Sequence, residues 1–388
     1  MMKIIADENI PAVAEAFGTL GDVTLLPGRS LRAQDVRAAD VLLVRSVTRV
    51  GRDLLEGSQV RFVGSATIGF DHVDRDYLQS RGIGFATAPG SNATSAAEYV
   101  VSALLALGER EGFRLAGRTV GIVGCGNVGS RVRDRLAALG CECLINDPPL
   151  RERGGHDAFV GLDDILQADI ISLHVPLERS GRHATWHLFD EAVLQRMKPC
   201  TVLINTSRGA VVDNAALDAL LARRQDLRVV LDVWEGEPAI EMPLLEKVAL
   251  GTAHIAGYSL DGKLRGTEMI YRAACDYLGC VPRWDAATVL PEANALDLRN
   301  LPGGDDLGRV CAAVFNTYDI RVDDERLHGL LRLPPADRPG GFDRLRKEYP
   351  VRREFAATTV CIDSDAGRLG ELLRGIGFNV DDGSASDT

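Results

Sequence analysis

Apolar and polar positions along this chain divide it into short apolar runs separated by amphipathic stretches. In the first part, runs at 3–6, 41–45, 60–64 and 83–86 alternate with segments of helical spacing, the pattern of βαβ units around a parallel sheet. From 95 to 110 the period changes. Ala97, Val100, Val101, Leu104, Leu105 and Leu107 recur on one face behind the cap candidates Asn92 and Thr94, which predicts a long helix bridging two domains. A second series of runs, at 119–123, 143–147, 170–174, 201–205, 228–232 and 249–252, suffices for a doubly wound sheet. Beyond 291 the texture shifts to helical patterns at 306–318, 323–331, 341–349 and 366–376 and one strand-like run at 355–362, a small α+β module. Residues 338–341, Arg-Pro-Gly-Gly, read as a loop, and 381–388, without apolar anchors, as a disordered tail.

The strongest local signal follows the run 119–123 directly. Gly124, Gly126 and Gly129 permit a tight turn and close backbone approach, and with Asn127 and Val128 they open a helical pattern whose N-terminus offers N–H groups to a pyrophosphate. Alone, such a motif also fits an ordinary glycine turn. Asp147 ends the next run, where a carboxylate accepts from ribose hydroxyls and repels a 2′-phosphate, so the pattern predicts dinucleotide binding with NAD favoured over NADP.

Further polar residues stand just past later runs: Arg208, Glu237 and His254. In a parallel sheet the carboxyl ends of the strands share one edge, so these three converge there. A guanidinium grips a carboxylate, an imidazole moves a hydroxyl proton, and a carboxylate orients that imidazole, a set suited to hydride chemistry on a hydroxy acid. Singly each is weak, because a lone Arg is usually a solvated charge and a lone His a hydrogen-bonded structural residue.

Composition narrows the class. With 388 residues, 46% of them apolar, the chain can bury two or three cores, and a formal net charge of -11 argues against wholesale binding to nucleic acid or anionic membrane. The N-terminus meets Asp7 and Glu8 before any signal-like core forms, and no apolar stretch reaches membrane-spanning length, so the expected location is the cytoplasm. Eight cysteines show neither a CxxC pair nor metal-ligand spacing and read as reduced packing residues, with no metal expected.

Taken together, the 124–129 loop, Asn-Thr-Ser-Arg-Gly at 205–209, Asp-Val-Trp-Glu-Gly-Glu-Pro at 232–238 and His254 resemble the D-isomer-specific 2-hydroxyacid dehydrogenase family over residues 3–290. Stretches 44–48, 69–74, 147–149, 208–214 and 254–263 resemble a branch of it acting on a phosphorylated hydroxy acid. The resemblance implies a Rossmann-type NAD domain, 94–258, inserted in a flavodoxin-like substrate domain, 1–93 and 259–290. It also implies a C-terminal dimerisation domain, 291–380, and hence a homodimer. Arg208 would hold the substrate carboxylate and C2 oxygen, His254 would act as general base, and Glu237 would be its partner, leaving Glu235 as a loop or surface charge. Asp232 would lie near the nicotinamide carboxamide, Gly257 would leave room for the cofactor, and Ser46, Thr67 and Tyr258 would touch substrate. Arg45, Arg49, Lys263 and Arg265 are unranked candidates for the phosphate, and His72 is taken as structural. The basic run Arg344, Arg346, Lys347, Arg352 and Arg353 reads as a solvated face, or more sharply as a group near a partner subunit's active site. Another hydroxyacid dehydrogenase, or an NAD-sensing corepressor-like protein, remains open on the same residues.

Overall fold

The structure, a computed structural model, describes residues 1–154, 158–299, 304–364 and 366–383. It divides into two compact units, Met1–Ala93 with Ser259–Glu292 and Thr94–Tyr258 with Ala293–Thr388.

The first unit holds a parallel sheet of β1 (Met2–Asp7), β2 (Gly21–Leu26), β3 (Val41–Val44), β4 (Phe62–Ser65) and β5 (Gly84–Ala86), in the order β2-β1-β3-β4-β5 of flavodoxin-like folds. Side chains alternate between two apolar layers. Ile4, Val41, Leu43 and Phe62 face one layer, while Ile5, Leu42, Val44 and Val63 face the other, which is why these strands read as unbroken apolar runs. The returning helix Leu260–Leu278 covers the first layer with Ile270, Tyr271 and Ala274. Strand β2 gives no clear signal in the sequence because it lies at the sheet edge, half solvated, with polar residues breaking its apolar run.

In the second unit β6 (Thr119–Val123), β7 (Glu142–Asn146), β8 (Ile170–Leu173), β9 (Val202–Asn205), β10 (Arg228–Leu231) and β11 (Leu250–Gly251) pair in parallel in the order β11-β10-β9-β8-β6-β7. Phe159 forms a single parallel bridge to Ile145 of β7 and takes the place of the next strand outward. With it, the order becomes that of a Rossmann sheet carrying one strand more, and the chain reverses direction between β6 and β8, where such sheets open a ligand crevice at their carboxyl ends. The long helix Ala93–Glu111 packs against Val120, Ile122, Val202 and Ile204.

The C-terminal segment adds β12 (Asn294–Asp297), β13 (Thr358–Cys361) and β14 (Asn379–Asp381), a parallel sheet in the order β12-β13-β14, and the helices Asp306–Thr317, Ile320–His328, Arg338–Lys347 and Gly367–Ile376. It shares one apolar cluster with the helices beside the six-stranded sheet: Val310, Val314, Phe355, Leu369 and Leu373 pack with Leu104, Leu107 and Leu136. Two sequence readings change. The stretch 338–341 is the opening turn of a helix, since proline near the first helical position loses no intrahelical hydrogen bond. Asp381 closes β14, and of the rest of the expected tail residues 384–388 lie outside the described residues. The cysteines are free, and burial pushes the thiol of Cys141 up to about 12 and that of Cys143 to about 11, so both are inert packing groups. Among the described residues no helix is long and apolar enough to cross a membrane.

Candidate active site

Three glycines after β6 do three different things. Gly124 turns the chain with φ +86°, and a Cβ there would stand 2.9 Å from the His174 carbonyl oxygen. Gly126 faces open space, with nothing within 4 Å of where a Cβ would stand. Gly129 sits so close under the turn that a Cβ would lie 2.0 Å from the Gly124 carbonyl oxygen. A tight turn, an open approach and a close helix–strand contact are what a pyrophosphate-binding loop requires. Gly126 and Asn127 are exposed at the start of the helix Asn127–Ala138, while Val128 is half-buried. Asp147 closes the site from the next strand. Its Oδ2 accepts the Cys125 N–H at 2.8 Å and its Oδ1 the Leu150 N–H at 2.9 Å, so the acid predicted to receive the ribose also holds the loop in shape. These residues fit a dinucleotide.

Just past β8, His174 ties that strand to the loop after β9, with Nε2 2.8 Å from Ser172 Oγ and Nδ1 3.2 Å from Thr206 Oγ1. Burial pushes its pKa down to about 3, so the ring is neutral.

His254 lies in the left-handed region at φ 56°, a conformation that costs a residue with a Cβ about 1–2 kcal/mol. Asp232, at the end of β10, holds the turn there. Its carboxylate accepts from Thr252 Oγ1 (2.7 Å), Ile255 N–H (2.7 Å) and Ala256 N–H (3.0 Å), and its carbonyl accepts the His254 N–H at 2.7 Å. Tyr99 Oη backs Thr252 Oγ1 at 2.7 Å. Burial raises the Asp232 pKa against the opposing effects of His254 and these hydrogen bonds. Gly257 follows in the turn Ala256–Gly257.

The imidazole meets its partner. Nδ1 of His254 is 2.7 Å from Glu237 Oε2, and Glu237 Oε1 accepts the Trp234 N–H at 2.7 Å. Burial alone would raise the Glu237 pKa, but the His254 charge and hydrogen bond, with the Trp234 N–H, leave it below its ordinary value. An ionised carboxylate only accepts, so Nδ1 carries a proton and Nε2 is the nitrogen left to exchange one.

Arg208 stands half-buried after β9 in extended conformation, its carbonyl held by Asn205 Nδ2 at 3.0 Å and its Nη1 donating to the Ser207 carbonyl at 2.8 Å. The next residue joins its loop to that of Glu237. A Cβ at Gly209 would fall 2.0 Å from the Trp234 carbonyl carbon and 2.5 Å from the Glu235 nitrogen, so the two backbones touch. Glu235 lies in a loop, as the sequence suggests, and is half-buried with its carboxylate engaged. Its Oε2 accepts the Asn214 N–H at 3.1 Å, its Oε1 lies 2.9 Å from His187 Nε2, and its own N–H donates to Asn214 Oδ1 at 3.0 Å. The local sequence does not say which loop lies opposite, so these partners are not legible in it. His187, Asp213 and Glu235 bring ligand-type atoms within 4.8 Å of one another, but the imidazole turns one nitrogen to each acid and so bridges the two loops.

The C-terminal segment reaches the turn of His254, and its basic run divides: Arg344 and Lys347 are exposed, as a solvated face requires, while Arg346 is half-buried and Arg352 buried, which corrects that reading for these two. Arg352 is 5% exposed, donates to the Ala256 carbonyl at 3.1 Å and to the Ser95 carbonyl at 2.7 Å, and lies 3.5 Å from the centre of the Tyr318 ring. Its guanidinium is 3.9 Å from buried Glu98, whose carboxyl burial pushes up to about 8 despite Arg352. Tyr258 packs edge-on against Tyr349 at 5.7 Å, with the Arg346 guanidinium 5.8 Å from its ring centre. Nothing in the local sequence marks Arg346 or Arg352 out, since only tertiary packing distinguishes them from solvated charges.

On the carboxyl edge of the first unit's own sheet, Ser46 is exposed in the turn after β3. Thr67 Oγ1 is 2.8 Å from Ser65 Oγ, which is 3.1 Å from His72 Nε2. Arg45 Nε donates to fully buried Asp7 at 3.1 Å, and Arg265 donates to the Ser91 carbonyl.

This arrangement matches known proteins. Residues 92–256 match the D-isomer specific 2-hydroxyacid dehydrogenase NAD binding domain, and 290–377 match a domain of unknown function. An erythronate-4-phosphate dehydrogenase of Chromohalobacter salexigens is 49% identical over 98% of this chain and 99% of its own. One from Salinibacter ruber is 52% identical over 92% of this chain and 94% of its own. The NAD-dependent formate dehydrogenase of Staphylococcus aureus, solved in complex with NAD, superposes with a TM-score of 0.59 at 26% identity over 74% of this chain and 98% of that one. The chain belongs to the erythronate-4-phosphate dehydrogenases, within the D-isomer specific 2-hydroxyacid dehydrogenase family.

Proposed function

We propose that the chain oxidises 4-phospho-D-erythronate at its C2 hydroxyl, giving (R)-3-hydroxy-2-oxo-4-phosphooxybutanoate and NADH, in the biosynthesis of pyridoxal 5′-phosphate (vitamin B6). The observation that carries this reading is the 2.7 Å bond between His254 Nδ1 and Glu237, which leaves Nε2 as a base at the sheet edge that bears the dinucleotide loop. The identity of the substrate is supported by the names of full-length relatives. Bound NAD supplies the hydride acceptor. Nε2 of His254 takes the hydroxyl proton as the C2 hydride leaves with its electron pair, and Glu237 stabilises the imidazolium that forms. Arg208 holds the substrate carboxylate and C2 oxygen, fixing which face of C2 is presented. Gly124, Gly126, Asn127, Val128 and Gly129 hold the pyrophosphate, Asp147 the ribose, and Gly257 leaves the cofactor room. Asp232 keeps the turn in shape beside the carboxamide, and Ser46, Thr67 and Tyr258 contact substrate.

The test is NADH production by purified protein supplied with 4-phosphoerythronate and, in parallel, with 3-phosphoglycerate. Turnover of the first alone supports the assignment, and preference for the second replaces it with another hydroxyacid oxidation. NAD binding without turnover of either points to a sensor. The proposal includes a cytoplasmic homodimer through the C-terminal segment, where Val351 is 76% exposed. Sedimentation of the wild-type chain and of Val351→Asp tests it, and a monomeric wild type overturns it.

A further inference from the structure

The segment that carries Arg346 and Arg352 wraps the catalytic turn, and its two arginines are used differently. Arg352 spends its donors on the Ala256 and Ser95 carbonyls and is a structural tie. Arg346, in the last turn of the helix Arg338–Lys347, stands over Tyr258, four residues from His254. No carboxylate pairs with it among the described residues, and its buried Nε has no hydrogen-bond partner there. Burial opposes its charge, but Tyr258, Glu237 and Asp232 together favour it, so a cation is maintained close to the base. Tyr258 takes one of its hydrogen bonds, and the rest of the planar fork, with its unpartnered Nε, is what remains to receive an anion.

The substrate offers two anionic ends. On the reading above Arg208 takes the carboxylate, so the phosphate requires a second cation, and a chain of net charge -11 must place one locally. Arg45 is engaged by buried Asp7. We propose that Arg346, supplied by the C-terminal segment of the same chain, is a substrate-binding residue that anchors the phosphate group beside Tyr258. The segment then selects the substrate as well as packing against the helices beside the six-stranded sheet. This inference rests on the phosphorylated hydroxy acid being the substrate.

Arg346→Ala, Arg346→Lys and wild type are compared with 4-phosphoerythronate and with unphosphorylated D-erythronate, and inorganic phosphate is titrated calorimetrically into each NAD-saturated protein. Arg346→Ala is expected to raise KM for the phosphorylated substrate by about 10- to 100-fold, the worth of a charged hydrogen bond, with KM for NAD unmoved. Its discrimination against D-erythronate should fall by the same factor, phosphate binding should disappear, and Arg346→Lys should recover part of both. An unchanged KM, or equal losses on the two substrates, overturns the proposal. If wild type turns over neither substrate, the functional reading fails separately. The phosphate titration then decides Arg346: binding lost in Arg346→Ala supports the anion site, and equal binding by the two proteins removes it.

Discussion

Glu237 divides its carboxylate between His254 Nδ1 and the Trp234 N–H, each at 2.7 Å, so one side chain fixes the imidazole and is itself fixed by its own loop. Glu237→Gln keeps the shape and removes the charge, so it should lower kcat by about 100-fold or more while leaving KM for NAD in place. Steady-state kinetics checks this, and a normal kcat would show that the carboxylate is only a structural bond.

His254→Ala should depress turnover by about two to four orders of magnitude, the usual value of general acid–base help, with NAD affinity preserved. Rapid-mixing measurement of NADH formation together with an NAD titration separates the two quantities. Loss of NAD binding in proportion to turnover would count against the role of base.

Gly126 and Gly129 should fail in different ways. Ala at 126 meets open space and leaves the fold intact, yet it intrudes where the pyrophosphate approaches, so NAD binding should weaken at unchanged Tm. Ala at 129 drives a Cβ against the Gly124 carbonyl oxygen and should cost about 1–3 kcal/mol of stability. Thermal melts with NAD titrations distinguish the pair.

Asp147→Asn keeps an acceptor for the Leu150 N–H but loses the charge and the acceptor for the Cys125 N–H, so it should weaken the preference for NAD over NADP and cost about 1 kcal/mol of stability. Asp147→Ala should lose the preference and about 0.5–2 kcal/mol with it. Comparing kcat/KM for the two cofactors against denaturant midpoints checks both.

Glu98 predicts a pH dependence. Burial raises its carboxyl from 4.5 to about 8 against Arg352, with Glu354 adding to the rise and the Phe355 N–H and Arg135 opposing it. The folded chain then keeps a proton that the unfolded chain has released, so stability falls as pH rises from 4.5 to about 8. Glu98→Gln should flatten that slope in melts taken at pH 5 and pH 8. A slope identical to wild type would mean that another group sets it.

The central strands and the glycine loop are legible in the sequence because burial on both faces of a parallel sheet leaves unbroken apolar runs, and because a dinucleotide turn needs glycine at fixed offsets. Edge strands β2, β12 and β14 are not, because they are partly solvated and carry polar residues. The helix start at Arg338 resembles a loop on account of its proline and glycines. The partners of Glu235 and Arg352 are illegible for a deeper reason. A charged side chain looks the same in sequence whether it faces water or the backbone of a remote loop, and Asn214 and Ala256 are 21 and 96 residues away from them.

Gly209 has a wider consequence. Because it abuts the Trp234–Glu235 backbone, the spacing between the loop of Arg208 and the loop of Glu237 is set by main chain rather than by side-chain packing. The reaction centre is thereby insulated from its recognition elements. On the proposed function, substitutions at Arg346 would retune which molecule is accepted, generation after generation, while the spacing of Arg208 and Glu237 keeps its dimensions.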